Sequence, residues 1–122
     1  MNIYRDTEKD IHKRIYKFVV ACFNNIVKKI PKSKENLSII EQIGSSLTSV
    51  GANDQEADGA SSSKDFVAKY MIVRKEAKET KYWLNIIKDT GILSEFIVNP
   101  YIQECHEIQM IISKIIQNIQ QK

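Results

Sequence analysis

Only two prolines, Pro31 and Pro100, and four glycines interrupt 122 residues. Breakers this sparse exclude many short strands joined by tight turns and point to a few long elements. There are two cysteines, Cys22 and Cys105, far apart and without a C-x-x-C spacing. That excludes a disulfide framework, and because both sit among apolar neighbours they read as small core residues. No apolar run approaches the roughly 20 residues that cross a bilayer, so no membrane partner is expected. The charged N-terminus, MNIYRDTEKD, lacks the apolar segment of a secretory signal. A cytoplasmic protein is therefore the default expectation. Lys and Arg are absent from residues 35–60, which carry five acids.

That last gap makes the charge uneven. Residues 1–34 carry a net +6, residues 35–60 −5, residues 61–90 +3 and residues 91–122 −1. The polarity suits a phosphate-bearing partner, a solvated helix face or complementary faces between subunits, but its density is below that of a dedicated nucleic-acid binder.

What remains is patterned as helix. Ile11, Ile15, Phe18, Cys22 and Ile26 recur at spacings of four and three, predicting a first helix over about 6–29, capped by Asp6 or Thr7 and stopped by Pro31. A second stripe, Tyr16, Val20, Phe23 and Val27, runs beside the first. The second helix is expected over about 34–57 on Leu37, Ile40, Ile43, Leu47 and Val50. The third, about 63–90, carries Phe66, Tyr70, Val73, Ala77, Thr80, Leu84 and Ile87. Ser62 with Asp65 supplies its capping signal, and Gly91 its end. The fourth, about 95–120, starts near Ser94 with a break or restart at Pro100, and runs on Val98, Tyr101, Cys105, Ile108, Ile112, Ile115 and Ile119. Long helices joined by short loops place neighbours antiparallel. The expected fold is all-α, one domain over 1–122, an antiparallel up-down-up-down four-helix bundle.

The stretch from Ser45 to Ser63 holds two of the four glycines, most of the serines, and no aromatic or basic residue. The apolar rhythm runs into it, so its first part belongs to the second helix, with the turn near Asp58–Ser62. Glycine in a helix costs about 1 kcal/mol, a cost suited to close approach of another helix. Gly51, Ala52 and Asn53 are expected at that contact, with Asn53 and Glu56 giving buried or half-buried polar contacts. Ala52→Leu should then disrupt folding. Gly59 is assigned the left-handed position after the helix.

Asp54, Glu56, Asp58, Gly59 and Asp65 fall at positions 1, 3, 5, 6 and 12 of a calcium loop, but Asp65 is too short for the closing bidentate ligand. Helix end, turn and cap are preferred. Cys22, Cys105, His12 and His106 could in number hold zinc, but neighbours on a helix diverge by about 100°. Core cysteines and surface histidines are preferred. Neither histidine has a nucleophile in a strained turn, and Glu76 and Glu79 read as surface ion pairs with Lys75 and Lys78. No catalytic residue, metal, cofactor or small-molecule substrate is assigned, and the chain is expected not to be an enzyme. Phosphate contacts, if any, fall to Lys9, Lys13, Arg14 and Lys17 on the first helix and Arg74, Lys75, Lys78 and Lys81 on the third. Tyr82 and Trp83 could stack bases. The first and fourth helices carry apolar faces wider than a monomeric bundle needs, which marks a homo-oligomer.

The run S-L-T-S-V-G-A-N-x-x-E-A-x-G-A-S-S-x-K-D-F, Ser46 to Phe66, followed by E-A-K-E-T-K-Y-W-L, Glu76 to Leu84, resembles the 23S rRNA-intervening-sequence proteins over nearly the whole chain. Its most specific residues are Ser49, Gly51, Ala52, Asn53, Glu56, Ala57, Gly59, Phe66, Glu76, Glu79 and Trp83. The resemblance implies small antiparallel bundles, pentameric rings among relatives and no enzyme activity. One relative is the accessory variability determinant of diversity-generating retroelements. It implies RNA or DNA association, with a reverse-transcriptase-like partner as the alternative role. Family sequences commonly have Arg before the S-x-T-S run, where this chain has Ser45. That weakens the nucleic-acid reading on the second helix.

Overall fold

The computed structural model describes residues 3–122, with side chains from Ile11 onward. Four helices account for most of them: α1 (Ile3–Asn25), α2 (Leu37–Asp58), α3 (Ser63–Asp89) and α4 (Glu95–Gln120). No strand is formed among the described residues. Each helix approaches its two neighbours in a closed square, α1 with α2, α2 with α3, α3 with α4 and α4 with α1. Among the described residues, the diagonal pairs, α1 with α3 and α2 with α4, make no close backbone approach. Successive helices run antiparallel because the connections are short. The four-helix bundle is the observed fold.

The core follows the four expected stripes except at Leu37, which is exposed at the start of α2. Ile11, Ile15, Phe18, Cys22 and Ile26 are all buried on α1. Ile43, Leu47 and Val50 meet them from α2, Val73, Ala77, Leu84 and Ile87 from α3, and Val98, Cys105, Ile108, Ile112 and Ile115 from α4. Each fully buried aliphatic side chain contributes about 1.5–3 kcal/mol of transfer free energy.

Ser62 sits in extended backbone and its Oγ accepts from Asp65 N, capping α3 as expected. Ser94 does the same for α4 through Ile97 N. Gly91, at φ +73°, is the residue of left-handed backbone that closes α3, a conformation glycine adopts without a Cβ penalty.

Five expectations are corrected. The first helix begins at Ile3, so Asp6 and Thr7 lie within it and do not cap it. The first helix ends as α-helix at Asn25, and a 3₁₀ turn over Val27–Lys29 replaces its last turn. That tighter winding buries Ile26, Val27 and Ile30 together. The second α-helix begins at Leu37, behind a 3₁₀ turn over Lys34–Asn36. Gly59 has φ −95°, not the left-handed region, and its N–H is donated to Gln55 O. Finally, α4 runs through Pro100 without a break. The missing proline N–H would have served the carbonyl of Phe96, and Phe96 lies in the exposed first turn, where water can take its place. Asp6, Thr7 and Lys9 have side chains outside the described residues.

Candidate functional site

Two regions hold the polar and charged groups with functional potential. The first lies at the end of the bundle where α2 turns into α3. Leu47, Val50, Asp54 and Ala57 continue one stripe on α2, so Asp54 occupies a core position with a charged side chain. It is 1% exposed. A buried carboxylate is costly unless it is hydrogen-bonded, and two other helices bring partners to its Oδ1. Tyr70, fully buried on α3, donates from its hydroxyl to Asp54 Oδ1 at 2.7 Å. From α1, His12 Nδ1 lies 2.8 Å from the same oxygen. The other ring nitrogen, Nε2, lies 3.3 Å from Asp58 Oδ1. Phe66 stacks on Tyr70 with ring centroids 4.4 Å apart. A cavity of about 420 Å³ opens beside this cluster, lined by His12, Asp58, the three serines Ser61–Ser63, Phe66, Ile119 and Lys122.

The second region is the outer face of α1. On its α4 side, Arg14 makes a two-pronged contact with Glu104, donating from Nε and Nη2 at 2.7 Å each, and a third bond to Glu107 at 3.0 Å. The Glu104 carboxylate, despite the opposing effect of burial, holds this guanidinium well above its ordinary range. Gln103 and Arg14 together hold the exposed Glu107 carboxyl below its usual range. Lys13, Lys17, Phe18, Ala21, Pro100 and Tyr101 line the groove beside that contact, of about 590 Å³. Asn25 Nδ2 donates to Tyr101 Oη at its far end. On the α2 side of α1, a smaller apolar groove of about 270 Å³ is walled by Ile15, Tyr16, Val19, Thr48, Gly51 and Ala52. Tyr16 is 66% exposed and Val20 is also exposed.

The basic candidates do not form one patch. Lys13, Arg14 and Lys17 stand on α1, whereas Arg74, Lys75 and Lys78 stand on α3, the diagonal corner. Arg14 is committed to two carboxylates, so a phosphate would have to displace them. Lys81 Nζ lies 3.3 Å from His106 Nδ1 on the α3–α4 face. Tyr82 is exposed, Trp83 is half-buried, and the two rings meet edge to face at 4.9 Å. Trp83 Nε1 is buried and meets no acceptor among the described residues.

The small-residue segment divides between two faces. Gly51 faces α1, and a Cβ there would meet Val19 Cγ2 at 3.4 Å. Ala52 is exposed and belongs to the groove rim, not to a helix–helix seam. This overturns the expectation that it packs inside the bundle, because it projects away from the Leu47–Val50–Asp54 stripe. Asn53 is half-buried and donates to Ser49 O at 2.9 Å and Ser49 Oγ at 3.0 Å. Glu56 is exposed and pairs with Lys69 at 3.0 Å, so it makes no buried contact. Gly59 is exposed, with only a backbone oxygen of Glu56 near it.

Burial pushes the Cys22 and Cys105 thiols up to about 12, which fits their reading as inert core residues. His12 is corrected: its side chain is 16% exposed and tied to α2 and α3, not a free surface histidine. Among the described residues, Glu76 and Glu79 make no ion pair with Lys75 or Lys78. Burial and the neighbouring Glu79 carboxyl instead raise the Glu76 carboxyl above its usual range. No group of three or more His, Cys, Asp and Glu is placed to share a metal ion among the described residues. Nor is any described helix long and apolar enough to cross a membrane. Sequence reasoning missed the Asp54 cluster. The available signal was an aspartate in a core register of α2.

No curated protein matches the chain. The crystal structure of a protein of unknown function from the S23 ribosomal protein family of Bacteroides thetaiotaomicron is similar, with a TM-score of 0.83 and 30% sequence identity. The match covers 91% of this chain and 98% of that one. Residues 7–114 match the family described as 23S rRNA-intervening sequence protein, and the chain belongs to that family.

Proposed function

We propose that this chain is a non-enzymatic, homo-oligomeric interaction protein that associates with structured RNA. The observation that carries the first part is the apolar outer face of α1. Tyr16 and Val20 stand in solvent there, beside an apolar groove floored by Gly51 and walled by Val19 and Ala52. Exposed apolar surface around a groove is the usual mark of a subunit contact. The family resemblance favours a closed ring of five copies.

RNA association is supported by Lys13 and Lys17, which flank the α1–α4 groove, while Arg14 beside them is held by carboxylates. Because Arg74, Lys75 and Lys78 occupy the opposite corner, one strand meets both basic sets only if different protomers supply them. Oligomerisation and RNA association are thus linked in this reading.

Light scattering with size-exclusion chromatography tests the assembly. Five copies of a 14.1 kDa chain elute at roughly 70 kDa; a monomer at micromolar concentration overturns it. Titration with a structured RNA at rising salt tests the rest. A negative slope of log affinity on log salt is expected, diminished in a Lys13→Ala/Lys17→Ala variant. Absence of binding at low salt removes the RNA part.

A further inference from the structure

We infer that His12 is a proton-binding site that latches three helices together, holding a proton on each ring nitrogen in the folded protein and loosening as pH rises. The geometry is specific. His12 Nδ1 faces Asp54 Oδ1 at 2.8 Å and Nε2 faces Asp58 Oδ1 at 3.3 Å. A neutral imidazole has one N–H and one lone pair, so one nitrogen would point a lone pair at a carboxylate oxygen. Only the imidazolium donates to both.

The sequence supplies the two acceptors economically. Asp54 and Asp58 are four apart on α2, so they project from one helix face on either side of the ring. Tyr70 brings in α3 by donating to the same Asp54 oxygen, and its own oxygen lies 3.5 Å from His12 Nδ1. On the α4 side, Lys122 lines the same cavity as His12 and opposes a charged ring. Phe66, which lines the same cavity, is apolar. Asp58 is exposed and its attraction is screened by solvent, whereas Asp54 is buried and its attraction is not. Among the described residues, two carboxylates face the ring and one ammonium lines its cavity, a balance in favour of the proton.

The pH dependence follows from linkage. An unfolded histidine titrates near 6.5. Folding favours the charged ring, so the native state holds the proton to higher pH. The contribution to stability is therefore full below about 6.5 and declines as pH rises through the native midpoint. After deprotonation the Nδ1–H to Asp54 can persist, while Nε2 turns a lone pair toward Asp58, which is free to swing into solvent. The latch between α1 and the α2 terminus is the part that is lost.

NMR titration of the ring Cε1–H tests this in a His106→Gln background, where His12 is the sole histidine. The expected midpoint lies about one unit or more above 6.5, and Asp58→Asn moves it down. A midpoint at or below 6.5, or one that Asp58→Asn leaves in place, overturns the latch. Urea unfolding in the same background supplies a second reading. The unfolding constant should rise about tenfold between pH 6 and pH 9 for each unit of midpoint shift. His12→Gln should remove that rise, and an equal rise in His12→Gln overturns the proposal. If His12→Gln does not fold, the ring titration of the folded parent still decides.

Discussion

At the end of the bundle where α1 gives way to α2, isoleucine does the packing: Ile26, Ile30, Ile43 and Ile87 are buried there with Leu84 and Val98. At the opposite end the same square of helices surrounds Asp54, Tyr70 and His12. The first end is held by surface removed from water, which is non-directional and tolerates rearrangement. The second depends on hydrogen bonds that fix one register and one set of partners, because an unmatched buried polar group is costly. The apolar end thus supplies stability, and the polar end dictates how α1, α2 and α3 meet.

Truncation at each end separates these contributions. Ile43 is fully buried, and Ile43→Ala should cost about 3–4 kcal/mol, from lost transfer energy and the cavity left behind. Asp54→Ala should cost about 3 kcal/mol, because Tyr70 and His12 lose their shared acceptor in a buried site. Urea denaturation measures both. A cost below about 1 kcal/mol for Asp54→Ala would mean that the polar end contributes little to folding, and the comparison would fail.

Between the two ends lies a smaller polar contact. The hydroxyls of Thr80 and Ser46 are 2.9 Å apart across α3 and α2, and each is also within reach of a carbonyl in its own helix. Thr80→Val keeps the shape and removes both contacts of this hydroxyl, for an expected loss of about 1 kcal/mol. A loss as large as that of Asp54→Ala would place the register-fixing contact at the middle of the bundle and not at its end.

The helices, their buried stripes and their caps were legible from sequence and the buried polar cluster was not, for a physical reason. Ile11, Ile15, Phe18, Cys22 and Ile26 declare a helix and its buried face through spacing alone, and the Ser62–Asp65 cap is equally local. His12, Asp54 and Tyr70 are separated by 42 and 16 positions. Their meaning depends on which helices become neighbours, which local spacing does not encode. Asp54 even fits a calcium-loop spacing, although the helix turns it inward. The basic residues failed for the same reason. Lys13 and Arg74 look alike in sequence, yet stand on helices that occupy opposite corners of the square. Pro100 was misjudged because a proline near a helix start can be tolerated when its unmatched carbonyl faces water.

The finest test of the comparison uses two glycines on α2. Gly44 lies toward the apolar end, where a Cβ would meet nothing within 4 Å. Gly44→Ala should therefore stabilise by up to about 1 kcal/mol, since it restricts the unfolded chain and adds no clash. Gly51 lies toward the polar end, and its Cβ would touch Val19 at 3.4 Å. The gain from Gly51→Ala should be smaller, because part of it is offset by the close contact of the new Cβ with the Val19 side chain. Ala52→Leu, exposed on the next position, should change stability by no more than about 0.5 kcal/mol, contrary to what the small-residue pattern suggests. Thermal unfolding of the three variants ranks them. If Gly51→Ala stabilises as much as Gly44→Ala, α1 is not drawn close to α2 by the absence of a side chain there. The polar end would then owe its geometry to the Asp54 contacts alone.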